Sequence, residues 1–201
     1  MGGILVYALH DDEGNFNKNS LGAISEASKL ASELGSEAAA VVVGDVADDA
    51  CAGLGAYGAA RVFRAKAAPE GLAQPIVDVM AKVIADNDFS YALFGGGLLG
   101  FEIGAGLTAR MNAGVTMEVT EVKVSDGKLV AVRPVLQDSA VVDVGYVGDM
   151  CVSRHVQDCV FLEEAHPELT VQGPSHTEET QKMPQLDDET DVPTESVGSK
   201  Q

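Results

Sequence analysis

Two rhythms of apolar and polar residues divide this chain. In the first, short apolar runs alternate with stretches whose apolar residues recur every three or four positions. Ile4-Leu5-Val6-Tyr7-Ala8-Leu9 is apolar throughout, as in a strand covered on both faces, and the polar run His10-Asp11-Asp12-Glu13-Gly14-Asn15 ends it. Asn19 or Ser20 is placed to cap a helix whose Leu21, Ile24, Ala27, Leu30, Ala31 and Leu34 form one stripe, stopped by Gly35. The same punctuation then repeats. Ala38 to Val43 predicts a strand, Val46 to Tyr57 a helix ended near Gly58, and Ala60 to Arg64 a third strand. Leu72, Ile76, Val79, Met80, Val83 and Ile84 have the clearest helical spacing in the chain, and Tyr91 to Phe94 predicts a fourth strand.

The second rhythm follows a helix-compatible segment at Gly100 to Asn112. Val115 to Val124 alternates with period two, Asp126-Gly127 is a strong turn signal, and Leu129 to Val135 returns, which predicts a β-hairpin. Ala140 to Val147 and Val156 to Leu162 are read as further strands of that sheet. From Pro167, and fully from Pro174, the chain turns polar and acidic. Glu178-Glu179 and Asp187-Asp188-Glu189 buy little apolar burial against ordering entropy, so a flexible tail is expected from about residue 172.

Repeated β-α alternation places a mainly parallel sheet between two layers of helices. The predicted class is therefore α/β, a Rossmann-like three-layer α/β/α body with a carboxy-terminal antiparallel hairpin region. Residues 1–165 are read as one domain and residues 166–201 as an acidic, disordered tail.

Composition narrows the partners. The chain has 201 residues, 46% of them hydrophobic, enough for one sizeable core. Its formal net charge of -18 repels nucleic acid and anionic lipid and makes basic proteins the easier electrostatic partners. There is no apolar run of membrane-spanning length, and the start enters a strand pattern without a positive flank, so membrane insertion is not expected and a cytoplasmic location is. Cys51, Cys151 and Cys159 form neither an even set nor a metal-type pair, and are read as reduced structural thiols.

Candidate chemistry is sparse. Gly95-Gly96-Gly97-Leu98-Leu99-Gly100 satisfies G-x-G-x-x-G, follows a strand and precedes a helix-compatible segment. Backbone N–H groups at Gly95, Gly96, Gly97 and Gly100 would then cradle a phosphate, although the dinucleotide fingerprint belongs to the first βα turn and this one follows the fourth strand. A tight strand-to-helix turn that needs small residues explains the same glycines. A second match, Gly53-Leu54-Gly55-Ala56-Tyr57-Gly58, has no strand directly before it. His10 with Asp11, Asp12 and Glu13 reads as a solvated turn, with no further ligands at metal spacing. His155, Asp158 and His166 lack a nucleophile partner, so no catalytic residue is assigned. Arg110, Arg133 and Arg154 are candidates for carboxylate or phosphate forks, with internal salt bridges as the plainer role.

Beyond these residues, Gly100 to Met111 and Val132 to Ala140 resemble the amino-terminal domain of the electron transfer flavoprotein alpha subunit. The first stretch reads Gly100-Phe101-Glu102-Ile103-Gly104-Ala105-Gly106-Leu107-Thr108-Ala109-Arg110-Met111, and the second contains Val132-Arg133-Pro134-Val135 followed by Gln137-Asp138-Ser139-Ala140. The opening strand, the helix near Leu21, Gly44 and Gly58 follow the family's order, so the resemblance covers about residues 3 to 162. The family's basic residue falls on Phe101 and its Pro-Arg pair on Ala105-Gly106, so contacts of those side chains do not carry over. Nothing after Leu162 resembles the family's second, FAD-holding domain. The resemblance implies a noncatalytic electron-transfer scaffold, a heterodimer with a beta-like subunit, and FAD in the assembled complex but not held by this chain alone, the flavin-binding chain being separate. The glycine turn, read without the resemblance, implies instead a small adenine-nucleotide-binding protein, with AMP as a ligand.

Overall fold

In a computed structural model, the structure describes residues 2–66 and 72–145, together with the backbone of strands Cys151–His155 and Thr170–Gln172. The expected strand at Val156 to Leu162 and most of the acidic tail lie outside the described residues.

Four strands, β1 (Ile4–Tyr7), β2 (Ala38–Val43), β3 (Arg61–Ala65) and β4 (Tyr91–Phe94), form the centre of a parallel sheet in the order β3-β2-β1-β4. Strands β1 and β2 are buried at every position, which explains why their sequences are continuously apolar instead of alternating. The helices between them are α1 (Lys18–Leu34), α2 (Asp48–Gly53) with a 3-10 turn at Leu54–Tyr57, and α3 (Ala73–Asn87); α4 (Leu98–Met111) follows β4. The fold is the predicted α/β, Rossmann-like arrangement.

Alternate residues of each strand feed two separate cores. Ile4 and Val6 of β1, with Ala40 and Val42 of β2, pack with Ile24, Ala27 and Leu30 of α1. Leu5 and Tyr7, with Val41 and Phe94, pack with Met80 and Ile84 of α3 and Ile103 and Leu107 of α4. Helix α1 begins two or three residues earlier than the sequence suggests. Its cap is Asn17, whose side chain accepts the Asn19 N–H, while the buried Ser20 hydroxyl accepts the Leu9 N–H at 3.1 Å. Ser20 is thus committed to the preceding loop, and Gly35 ends the helix at φ 64° as expected.

The alternating segment from Val115 to Val124 is two strands, not one. β5 (Gly114–Val119) lies at the edge of the parallel sheet, whereas β6 (Glu121–Ser125) opens an antiparallel sheet with β7 (Lys128–Val135) and β8 (Ala140–Val144). A register shift between Thr116 and Val119 and a left-handed Glu118 (φ 57°) bend the chain at this junction. Thr120 anchors the bend, donating from its backbone N–H (2.9 Å) and its hydroxyl (3.2 Å) to the Val132 carbonyl. The Asp126-Gly127 turn has φ 51° and 73°, as a two-residue hairpin requires. Val122, Leu129 and Ala131 of the small sheet join the α1 side of the core.

β9 (Cys151–His155) inserts between β4 and β5, parallel to both, and β10 (Thr170–Gln172) lies parallel to β3. The place of β9 follows from the topology: α4 carries the chain past the β4 edge, so β5 lies one strand-width away and a later segment fills the slot.

Candidate functional site

Strand order reverses between β1 and β4. The chain builds outward from β1 through β2 to β3, then returns to pair β4 on the other side of β1. At such a switch point the loops leaving the two strands diverge, opening a crevice at their carboxyl ends. The crevice is present as a cleft of about 150 Å³, lined by Tyr7 at the end of β1, Leu9 after it, Asn17 and Ser20 at the start of α1, and Phe94 through Gly100. The glycine turn therefore opens onto the same crevice as the first βα loop.

Its glycines have different jobs. A Cβ on Gly95 would lie 2.6 Å from the Asn19 carbonyl carbon and 2.7 Å from the Ser20 nitrogen, so Gly95 lets the turn pack on the backbone of α1. A Cβ on Gly100 would stand 2.9 Å from the Gly95 carbonyl oxygen. Gly97 has φ 135°, a conformation that side chains resist, and caps α4 without a side-chain hydrogen bond. Gly96 is under no such constraint: a Cβ there meets only Asn19 Nδ2, at 3.8 Å. Packing thus explains Gly95 and Gly100, conformation explains Gly97, and neither explains Gly96. Leu98 and Leu99 already belong to the first turn of α4, where the earliest N–H groups have no intrahelical acceptor.

Among the described residues no Asp, Glu, Lys or Arg lines the cleft, although the chain carries a net charge of -18. Its polar groups are donors or neutral: the helix-start amides, the Asn17 and Ser20 side chains and the Tyr7 hydroxyl. Burial pushes the Tyr7 phenol from 10.0 to about 12. Because the folded state holds this proton more tightly than the unfolded chain, the stabilisation is complete below pH 10.0 and is lost as pH rises through about 12. Urea unfolding across that window should show a decline that Tyr7→Phe reduces by about 2 kcal/mol; an identical decline in the variant would contradict the burial of the phenol.

The other sequence candidates do not converge on the cleft. The second glycine motif spans the end of α2 and the 3-10 turn. His10 bridges two backbone carbonyls, Nε2 at 3.0 Å from Val43 O and Nδ1 at 2.9 Å from Asp11 O. The Asp11 carboxylate accepts the backbone N–H groups of Asn15 (2.8 Å) and Glu13 (3.0 Å), which lowers its pKa, led by the Asn15 bond. Among the described residues no group of His, Cys, Asp or Glu is gathered to hold a metal ion. Arg110 pairs with Asp78 at 3.2 Å, joining α4 to α3, and Arg133 pairs with Glu118 at 3.1 Å across the β5–β6 bend. The side chains of Arg154 and His155, and all of Asp158, Cys159 and His166, lie outside the described residues. Cys51 is a buried free thiol whose pKa is raised by that burial and then by Asp49.

Tyr7, Leu9, Asn17 and Ser20 are the cleft residues that motif reading missed. The available signal was topological: in a sheet ordered β3-β2-β1-β4, whatever follows β4 faces whatever follows β1.

Flavin fits this cleft poorly. Sites for drug-sized ligands run to roughly 300–1,000 Å³, well above about 150 Å³, and FAD is larger than most such ligands. The cleft suits one small polar group.

No curated protein matches the chain in a sequence comparison. A family model described as the electron transfer flavoprotein domain matches residues 4–176, which takes in the parallel sheet, the glycine turn and the small antiparallel sheet. With that match spanning most of its length, the chain belongs to the electron transfer flavoprotein domain family.

Proposed function

We propose that this chain is an alpha-like scaffold of an electron transfer flavoprotein, assembling as a heterodimer with a beta-like subunit while a separately supplied domain holds the FAD. The observation that carries the reading is the family match over residues 4–176. The small volume of the cleft supports placing the flavin elsewhere. In such an assembly the flavin supplies the electron chemistry, and this chain contributes orientation and electrostatics. Its charge of -18 favours docking by basic redox partners. The cytoplasm is the compartment we assign to it.

Purification from the native host tests the reading. The isolated chain should be colourless, and the complex pulled down with it should show flavin absorption. A monomer that purifies with stoichiometric flavin would refute the separate flavin domain.

A second reading is a small adenine-nucleotide-binding protein, with AMP held at Gly95, Gly96, Gly97 and Gly100. What favours it is the position of that turn at the switch point, where the starts of α1 and α4 meet. Under this reading AMP binds the isolated chain; under the scaffold reading adenine nucleotides bind only in the assembled complex.

A further inference from the structure

Strand β8 stands clear of the body among the described residues. Its sheet neighbour there is β7 alone, and its three central residues are all exposed. Successive strand residues point to opposite faces, so exposure of both Val141 (64%) and Val142 (38%) leaves two faces as well as the outer edge open. An apolar strand with an open edge invites another strand unless a charge or a proline blocks it. Ala140–Val144 contains no proline, and its acid, Asp143, is held by Lys123 at 2.7 Å.

The polarity of that edge follows from the hairpin. The two-residue Asp126-Gly127 turn closes on the bonded pair Ser125 and Lys128, so in an antiparallel ladder the next bonded pairs along β7 are at Val130 and Val132. The Val132 carbonyl accepting the Thr120 N–H agrees with this. Ala131, Arg133 and Val135 therefore turn their backbone groups toward β8, where they face Val144, Val142 and Ala140. Val142 is bonded inward to β7, and the N–H and C=O groups of Val141 and Asp143 point out from the free edge.

We propose that β8 pairs antiparallel with β8 of a second copy of this chain, centred on Val142. In that register Val141 of each copy lies opposite Asp143 of the other, and the outward N–H and C=O groups of both residues are satisfied. The two Val142 side chains meet on the twofold axis as a non-bonded pair, with Cα atoms about 4.5 Å apart. Centring on Asp143 instead would set like charges directly opposite. A twofold contact needs one self-complementary patch, and Ala140–Val144 is such a patch in this register. Charge favours the small sheet as the meeting place: residues 120–145 carry four acids and three bases, so most of the net charge of -18 lies elsewhere. The seam is one strand wide, at the low end of interface sizes, and the dimer accordingly forms in the micromolar range and above. Nothing in it depends on the flavoprotein reading.

Light scattering of the full chain across the micromolar range, with amide hydrogen exchange, tests the pairing. The parent should pass from monomer to dimer as concentration rises, and the Val141 and Asp143 amides should exchange about tenfold more slowly in the dimer. Val141→Pro removes an outward N–H that β7 does not use, at an edge position where proline is tolerated. It should melt with the monomeric parent and dimerise about tenfold more weakly, or not at all. Val142→Cys should give, on mild oxidation, a disulfide joining position 142 of both copies. Val141→Cys should not link to itself, because in this register its two thiols are offset by two residues, about 7–8 Å, beyond disulfide reach. A chain monomeric throughout the range, a dimer that Val141→Pro leaves intact, or a Val142→Cys protein without a link at position 142 overturns the proposal. Protection of the β8 amides only in a complex purified from the native host also overturns it, and gives the edge to a strand of another polypeptide.

Discussion

Gly95→Ala is expected to destabilise the protein by about 3 kcal/mol, at the upper end of the cost of overpacking a rigid site, whereas Gly96→Ala changes stability by less than about 0.5 kcal/mol. The contrast rests on what each new methyl meets. At Gly95 the atoms at 2.6 to 2.9 Å are the carbonyl of Asn19 and the nitrogen of Ser20, backbone of the first turn of α1. Backbone inside a helix cannot swing aside as the end of a side chain can, so α1 and the β4–α4 turn must separate. Such separation also strains the Leu9 N–H bond to the Ser20 hydroxyl, which ties the β1 loop to the same helix. At Gly96 the nearest atom, at 3.8 Å, is in ordinary contact. For a domain of this size the Gly95 change corresponds to about 6–12 °C in melting temperature. Equal melting temperatures for the two variants would show that the turn does not rest on α1.

Phe94→Ala should cost more, about 3–5 kcal/mol. Phe94 is 1% exposed, sits opposite Tyr7 in the β1–β4 register, and belongs to the core shared by α3 and α4. Removing its ring leaves a void beneath the wall of the cleft, and the surrounding strands, paired on both sides, cannot collapse to fill it. Phe94→Leu retains most of the volume and should lose less than about 1.5 kcal/mol. Leu98→Ala, at the start of α4 and at a residue 76% exposed, should lie within about 0.5 kcal/mol of the parent. Denaturant midpoints of the three variants, compared at constant m-value, check the ranking. A Phe94→Ala protein as stable as Leu98→Ala would mean that the ring is not in the core.

The central architecture was readable because its signals are local. Val41, Val42 and Val43 make a short apolar run whichever partner they meet, and Gly35 ends α1 through its own φ. The hairpin was found from Asp126-Gly127 and the alternation around it, both properties of neighbouring residues. What escaped was set by distant contacts. The alternation of Val115, Met117 and Val119 resumes at Val122 one position out of phase, across Thr120-Glu121, and the bend at Glu118 and Thr120 divides the two sheets there. The cap of α1 moved to Asn17 because Leu9, eleven residues before Ser20, claims the Ser20 hydroxyl. β9 has no distinctive pattern of its own; its place is dictated by the gap between β4 and β5.

The candidate site was half legible. The glycine motif marks the turn after β4, which is fourth along the chain but not distant from the first. In space β4 adjoins β1, so the fourth turn shares the crevice with the first. Tyr7 gave no separate sign, since in a run of apolar residues a tyrosine reads as one more core side chain.

The late filling of the gap by β9 bears on how the polypeptide emerges during synthesis. Tyr91 and Gly114 both find their partner in Cys151, so a nascent chain that has exposed β4 and β5 to solvent holds two unpaired parallel edges until Cys151–His155 leaves the ribosome. Unpaired edges invite pairing with neighbouring chains, and that interval is the stage of biogenesis at which this architecture is most exposed to misassembly.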